Sequence, residues 1–182
     1  SDDGIHRCAD LMAHVGQKRT FGDVGRFGLN TRLGELRGGA LHYDPDWQAR
    51  PLWLLAAGTG LAPLLSMLET LQAHNAARPV TLMYGVTRDA DLVKTEALEA
   101  FRQQLNHFRW LPVVAEENSP CQQRGFVTDH LDDAMLNNGE VDIYLCGPPP
   151  MVNAVATALR ERGIAPAGFW YEKFIASQSA AA

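Results

Sequence analysis

Cysteine is scarce in this chain. Its 182 residues carry three, Cys8, Cys121 and Cys146. They are odd in number and far apart, so they suit neither a disulfide scaffold nor a zinc site, and a plant-type iron–sulfur cluster needs four at tight spacing. The six histidines show no H-x-H or H-E-x-x-H spacing, so no metal site is expected. Basic charge is short as well. Sixteen Lys and Arg against 21 Asp and Glu leave a formal net charge of −5, which gives no electrostatic case for a nucleic-acid partner. No apolar run reaches the roughly 18 residues of a membrane helix, and the polar start Ser1-Asp2-Asp3-Gly4 is no signal peptide. The expectation is a soluble, cytoplasmic protein of a reducing compartment, with no membrane partner. No G-x-S-x-G occurs and no Ser or Cys has a base beside it in sequence, so covalent hydrolysis has no support.

What is present divides at residue 51. Hydrophobic residues make up 46% of the chain, and its length suffices for one domain with a real core. Half of the 16 glycines fall within residues 1–50, where they break any helical or alternating pattern within a few positions. Residues 1–50 therefore read as an irregular lead-in or remnant, too polar and broken to fold alone. From 51 onward apolar runs alternate with helical spacing. Strands are expected at Leu52–Ala57, from Val80 up to Gly85, at Phe108–Val114, at Val141–Cys146 and at Gly168–Phe174. Helices are expected from Leu61 to about Asn75, over Lys94–Leu105, from a Thr128-Asp129 cap to about Leu136, and from the prolines 148–150 to near Gly163. That alternation predicts an α/β domain over 51–176, a five-stranded parallel sheet with helices on both faces, and a short tail at 177–182. Such sheets bind ligands beyond the carboxyl ends of their strands, which singles out three loops.

The first is Ala57-Gly58-Thr59-Gly60-Leu61-Ala62-Pro63. Two glycines permit a tight turn, and the helix end beyond them offers N–H groups and a dipole suited to a pyrophosphate. A side chain at Gly60 is expected to intrude on that pyrophosphate space. A glycine turn that merely lets the helix pack on the sheet is the other reading, and proline stands where the last glycine of G-x-G-x-x-G would be. The second loop is Cys146-Gly147-Pro148-Pro149-Pro150-Met151. A flat ring can lie close to Gly147, three prolines fix the turn, and Cys146 is either a polarisable group facing the cleft or a buried structural cysteine. The third is Phe169-Trp170-Tyr171-Glu172-Lys173-Phe174, whose rings either pack in the core or stack on a planar cofactor.

Taken in order, these segments resemble the nucleotide-binding domain of the ferredoxin–NADP⁺ reductase family, and within it the reductase components of benzoate and anthranilate 1,2-dioxygenases. The resemblance rests on Leu52 through Pro63, on Tyr84-Gly85-Val86-Thr87, on Gly125-Phe126-Val127-Thr128, on Gly139 through Val152 and on Tyr171-Glu172-Lys173-Phe174. It implies that Gly58, Thr59, Gly60 and Pro63 hold the pyrophosphate of a nicotinamide cofactor. It places Cys146, Gly147, Pro148, Pro149 and Met151 beside the nicotinamide, with Glu172 near that junction and Phe174 against a flavin ring. In such enzymes NADH passes hydride to FAD, which sends electrons one at a time to an iron–sulfur centre and on to an oxygenase of aromatic-compound catabolism. A 2′-hydroxyl on the adenosine ribose suits a carboxylate. Thr87-Arg88-Asp89-Ala90-Asp91 therefore favours NADH, with Thr87 and Asp89 on the ribose and Arg88 as the residue arguing for NADPH. Residues 1–50 match neither the R-x-Y-[ST] signature nor the length of an FAD-binding barrel. The resemblance thus implies either the nucleotide-binding part of a flavoprotein reductase, or a non-catalytic dinucleotide-binding module that needs a flavin-bearing, iron–sulfur partner.

Overall fold

The computed structural model of the protein describes residues 50–134 and 136–173. Residues 1–49 of the expected lead-in at 1–50, the expected tail at 177–182 and Phe174 lie outside the described residues. β1 (Leu52–Ala57) is followed by a 3-10 turn at Gly58–Gly60 and by α1 (Leu61–Ala73). β2 (Val80–Val86), α2 (Thr95–Gln104) and β3 (Phe108–Val114) come next, and then a two-residue β4 (Gln123–Arg124). β5 (Asp142–Gly147), α3 (Pro149–Glu161) and β6 (Gly168–Lys173) complete the fold. All pairings are parallel, in the order β4-β3-β2-β1-β5-β6.

Alternation along the strands fixes the two faces. Leu52, Leu54 and Ala56 of β1 join Leu82, Tyr84 and Tyr144 under Leu61, Leu64, Leu68 and Leu71 of α1 and Leu98 of α2. Trp53 and Leu55 point the other way, to Met83, Ile143, Leu145 and Phe169, beneath Val152, Val155 and Leu159 of α3. A sheet covered on both faces explains why its central strands are apolar throughout rather than alternating.

The expected count of five strands becomes six. β4 is too short to leave a sequence pattern and exists by pairing Gln123 and Arg124 with Val113 and Val114. It starts just beyond Pro112, which has no N–H to give a neighbour. β2 also continues through Gly85 to Val86. The helix expected from Thr128 to Leu136 does not form. A 3-10 turn at Val127–His130 and another at Asn137–Gly139 stand there instead. Asp132 folds back so that its carboxylate accepts the Ala134 N–H at 2.7 Å, a local bond that competes with helix. Asn137 and Asn138 both take left-handed conformations (φ 47° and 51°).

An ion-paired anchor sits at the amino edge of the sheet. Asp142, 1% exposed, accepts from Arg78 at 2.7 Å and from Arg50 at 3.2 Å. Arg78 also donates to the Arg50 carbonyl at 2.9 Å. The segment entering β1 is thereby tied to β5. Among the described residues no helix is long and apolar enough to cross a membrane.

Candidate functional site

Strand order reverses between β1 and β5, with β2 to β4 on one side and β6 on the other. The loops leaving β1 and β5 at their carboxyl ends therefore stand side by side, where a crevice forms in open sheets of this kind. Gly58 and Thr59 are exposed at this edge while Gly60 is buried. Gly58 has φ +52°, and a β-carbon there would meet nothing within 4 Å. Gly60 is the opposite case, since a β-carbon would lie 2.1 Å from the carbonyl oxygen of Cys146 and 2.6 Å from its carbon. The space denied to a Gly60 side chain belongs to the β5 backbone, not to a ligand, which corrects the expectation for that position. No side chain caps α1, and the N–H of its first residue, Leu61, bonds back to the Gly58 carbonyl of the preceding turn. Pro63 lies in the first turn, where its missing N–H costs nothing.

Cys146 is fully buried on the α1 side, in the cluster holding Ala56, Leu61 and Leu64. Burial pushes its thiol well above the ordinary range, and the Glu172 charge adds to that. Of the two sequence readings, burial is the geometry found. Gly147 follows, also buried, and a β-carbon there would sit 2.7 Å from the Met151 sulfur and 3.4 Å from the Ala57 β-carbon. Met151 is half-buried and leans back over Gly147 from the first turn of α3. Pro148 is exposed and extended (φ −65°, ψ 152°), and Pro149 and Pro150 open the helix. Its first closing bond runs from the Val152 N–H to the Pro148 carbonyl, at 3.2 Å.

Glu172 pairs in register with Cys146 across β5 and β6. It is half-buried, and burial raises its carboxyl above the usual carboxylate range. The neighbouring rings are engaged within the fold. Trp170 stacks on Tyr144 at 4.7 Å between centroids and 16° between planes, and Tyr171 packs against Phe169 at 5.7 Å.

Beyond β2, the carboxylate of Asp91 takes both Nε (3.3 Å) and Nη2 (3.2 Å) of Arg88, together with the Arg88 N–H at 3.1 Å. The hydrogen bond from Arg88 is the main reason the Asp91 carboxyl falls below its ordinary range. Asp89 accepts from the buried Ser119 hydroxyl at 2.8 Å. One charge of each sign thus cancels within the loop, and Asp89 remains as a carboxylate braced by a hydroxyl. Thr87 is exposed, and its carbonyl accepts the Glu116 N–H at 3.0 Å.

Sequence reasoning assigned no role to Phe126, whose ring is 69% exposed at this same edge. Its turn is held by Asp129, which accepts the Phe126 N–H at 2.7 Å. Val127 sits over Gly85, 3.0 Å from where a β-carbon would be. A large ring just after a glycine, outside any alternating run, was the available signal. Among the described residues no group of three or more His, Cys, Asp and Glu is placed to hold a metal.

Comparison with known proteins fits this geometry. Residues 54–157 match the family model described as the oxidoreductase NAD-binding domain. The chain is 52% identical over 128 residues to the toluate 1,2-dioxygenase electron transfer component of Pseudomonas putida, an alignment covering 70% of this chain and 38% of that protein. It is 38% identical over 132 residues to the anthranilate 1,2-dioxygenase electron transfer component of Acinetobacter baylyi, covering 72% of this chain and 38% of that one. Among solved structures, an Amycolatopsis cytochrome P450 reductase superposes with a TM-score of 0.65 at 33% identity, covering 76% of this chain and 42% of the other. The chain therefore spans about two fifths of the length of these relatives.

Proposed function

The chain belongs to the oxidoreductase NAD-binding domain family, and on that premise we propose that it is the nucleotide-binding part of an NADH-dependent, flavin-linked reductase serving a dioxygenase that acts on aromatic compounds. The observation that carries this reading is the contact of Gly60 with the Cys146 carbonyl, which sets the loops after β1 and β5 against each other at the strand-order reversal. Two curated relatives are named as electron transfer components of 1,2-dioxygenases.

In this reading Gly58, Thr59, Gly60, Pro63 and the uncapped end of α1 hold the pyrophosphate. The carboxylate of Asp89 takes the ribose hydroxyls, with Thr87 beside it, and Phe126 offers its exposed ring to the adenine side. Gly147, Pro148, Pro149 and Met151 form the wall for the nicotinamide, a surface stiffened by prolines and padded by a thioether. Cys146 and Glu172 are both biased by burial toward their neutral forms. Bound FAD would accept a hydride and release single electrons. Residues 50–173 form the nucleotide domain, so the flavin is held by residues beyond these or by a second, iron–sulfur-bearing protein. Phe174, next after β6, is the residue assigned to face it. The reaction takes place in the cytoplasm, with the oxygenase as final partner.

A second reading is a dinucleotide-binding module with no catalysis of its own until a flavin-bearing partner docks. One experiment tests both, an absorbance spectrum of the purified chain followed by titration with NADH. A flavin band that bleaches on NADH establishes the reductase. A colourless protein that binds NADH establishes the module. A colourless protein that does not bind NADH overturns both.

A further inference from the structure

The hydroxyl of Ser119 sits where two loops of the carboxyl edge meet. The loop after β3 runs alongside the loop after β2, with the Ala115 N–H on the Val86 carbonyl and the Glu116 N–H on the Thr87 carbonyl, both at 3.0 Å. The chain then turns back, and the Ser119 N–H reaches the Glu116 carbonyl at 3.2 Å. That turn carries the serine side chain, 7% exposed, to Asp89. The hydroxyl oxygen accepts the Cys121 N–H at 3.0 Å. A hydroxyl has one proton to give, and here Oδ1 of Asp89 receives it at 2.8 Å.

The backbone beneath Asp89 is held as well. The Leu92 N–H donates to the Asp89 carbonyl at 3.1 Å and the Asp91 N–H to the Arg88 carbonyl at 2.9 Å, while the Asp91 carboxylate is occupied by Arg88. Asp89 is therefore fixed by main chain and side chain, and its second oxygen remains to accept from a ligand. Glu116 and Glu117 on the neighbouring loop differ. Both are exposed, and neither carboxylate takes a hydrogen bond among the described residues. That difference decides what each can refuse. A ribose 2′-hydroxyl is a donor that a carboxylate accepts, whereas a 2′-phosphate brings charge of the same sign. An unheld carboxylate can swing away from the phosphate, but one pinned through Oδ1 cannot withdraw without breaking its bond to a buried hydroxyl. Resting on the nucleotide reading above, we propose that Ser119 is a positioning residue for coenzyme choice: its hydroxyl holds the Asp89 carboxylate in place, so that NADH is accepted and NADPH refused.

The test is a double-mutant cycle on the 182-residue chain. Calorimetry gives the dissociation constants of NADH and NADPH for the parent, Asp89→Asn, Ser119→Ala and the double variant. The readout is the ratio of the two constants, which does not move when part of a sample is unfolded, because both constants then shift alike. Ser119→Ala is expected to narrow the preference for NADH about fivefold, the worth of one ordinary hydrogen bond. In the Asp89→Asn background the same change is expected to alter the ratio by less than about twofold, since a residue acting through Asp89 has no charge left to position. An unchanged ratio in Ser119→Ala, beside a narrowed one in Asp89→Asn, overturns the role of Ser119 and leaves that of Asp89 standing. Equal narrowing in both backgrounds also overturns it, because Ser119 then acts by another route. If Asp89→Asn leaves the ratio unaltered, the assignment of Asp89 to the ribose fails and the role of Ser119 with it. A parent that binds neither coenzyme overturns the nucleotide reading itself.

Discussion

Gly60 touches the carbonyl of Cys146 so closely that a β-carbon would sit 2.1 Å from the oxygen. The glycine that reads as part of a phosphate cradle is thus first a packing contact between two loops. Gly60→Val is expected to destabilise the fold by about 3 kcal/mol, as overpacking against an unyielding backbone does. Gly58→Ala faces open space and bears only the strain of its positive φ, about 1 kcal/mol. Denaturant melts of both variants, with NADH affinity by calorimetry, separate the roles. Gly58→Ala should bind NADH severalfold more weakly while staying folded. A Gly60→Val protein of native stability would contradict the contact.

Asp89 is the carboxylate left available after Arg88 and Asp91 neutralise each other. Asp89→Asn is expected to narrow the preference for NADH over NADPH, measured as the ratio of their dissociation constants, by about tenfold. An unaltered ratio would move the choice of cofactor elsewhere in the loop.

Glu172 makes a pH prediction whose sign follows from its raised carboxyl. Between its unfolded and folded pKa values the native state holds the proton and the unfolded chain does not. Stability therefore falls as pH rises through that window. Glu172→Gln should remove this slope and leave the variant at least as stable as the parent at neutral pH. Melts between pH 4 and 8 (roughly the span in which a raised carboxyl titrates) would show it, and parallel profiles for the two proteins would count against it.

Cys146 should resist alkylation in the native protein, because its burial disfavours the reactive thiolate. Cys121, part-buried with its thiol donating to the Pro112 carbonyl at 3.3 Å, should react before Cys146. Peptide mapping after a timed iodoacetamide pulse gives the order, and early modification of Cys146 would refute its placement.

Asp142→Ala would strand Arg78, already 5% exposed and with one Nη1 lacking a partner. The expected loss is about 3–5 kcal/mol, the usual result of breaking one side of a buried pair. A chemical melt reads it directly.

Much of this was legible in the residues. Unbroken apolar runs such as Leu52–Ala57 announce strands covered on both sides, and the glycines and prolines after β1 and β5 mark where the chain turns at the site. The two-residue β4 was not legible, since it exists only through its neighbour's register. Nor was the loss of the helix after Thr128, where the Asp132 side chain and two left-handed asparagines outweigh a plausible cap. The loops that form the crevice could be named from sequence. The direction in which each glycine faces, and the Ser119 brace behind Asp89, arise from tertiary packing alone.

The place of β1 in the sheet also governs how the molecule comes into being. It is made first among the described strands and ends up central, with β2 on one flank and β5 on the other. Roughly 85 residues separate the end of β1 from the start of β5, or about 4–17 s of synthesis at ordinary ribosomal rates. Through that interval one side of a wholly apolar strand has no native neighbour. The nascent half-sheet then offers an open hydrogen-bonding edge, which makes the arrival of Asp142–Gly147 the step at which assembly and aggregation part ways.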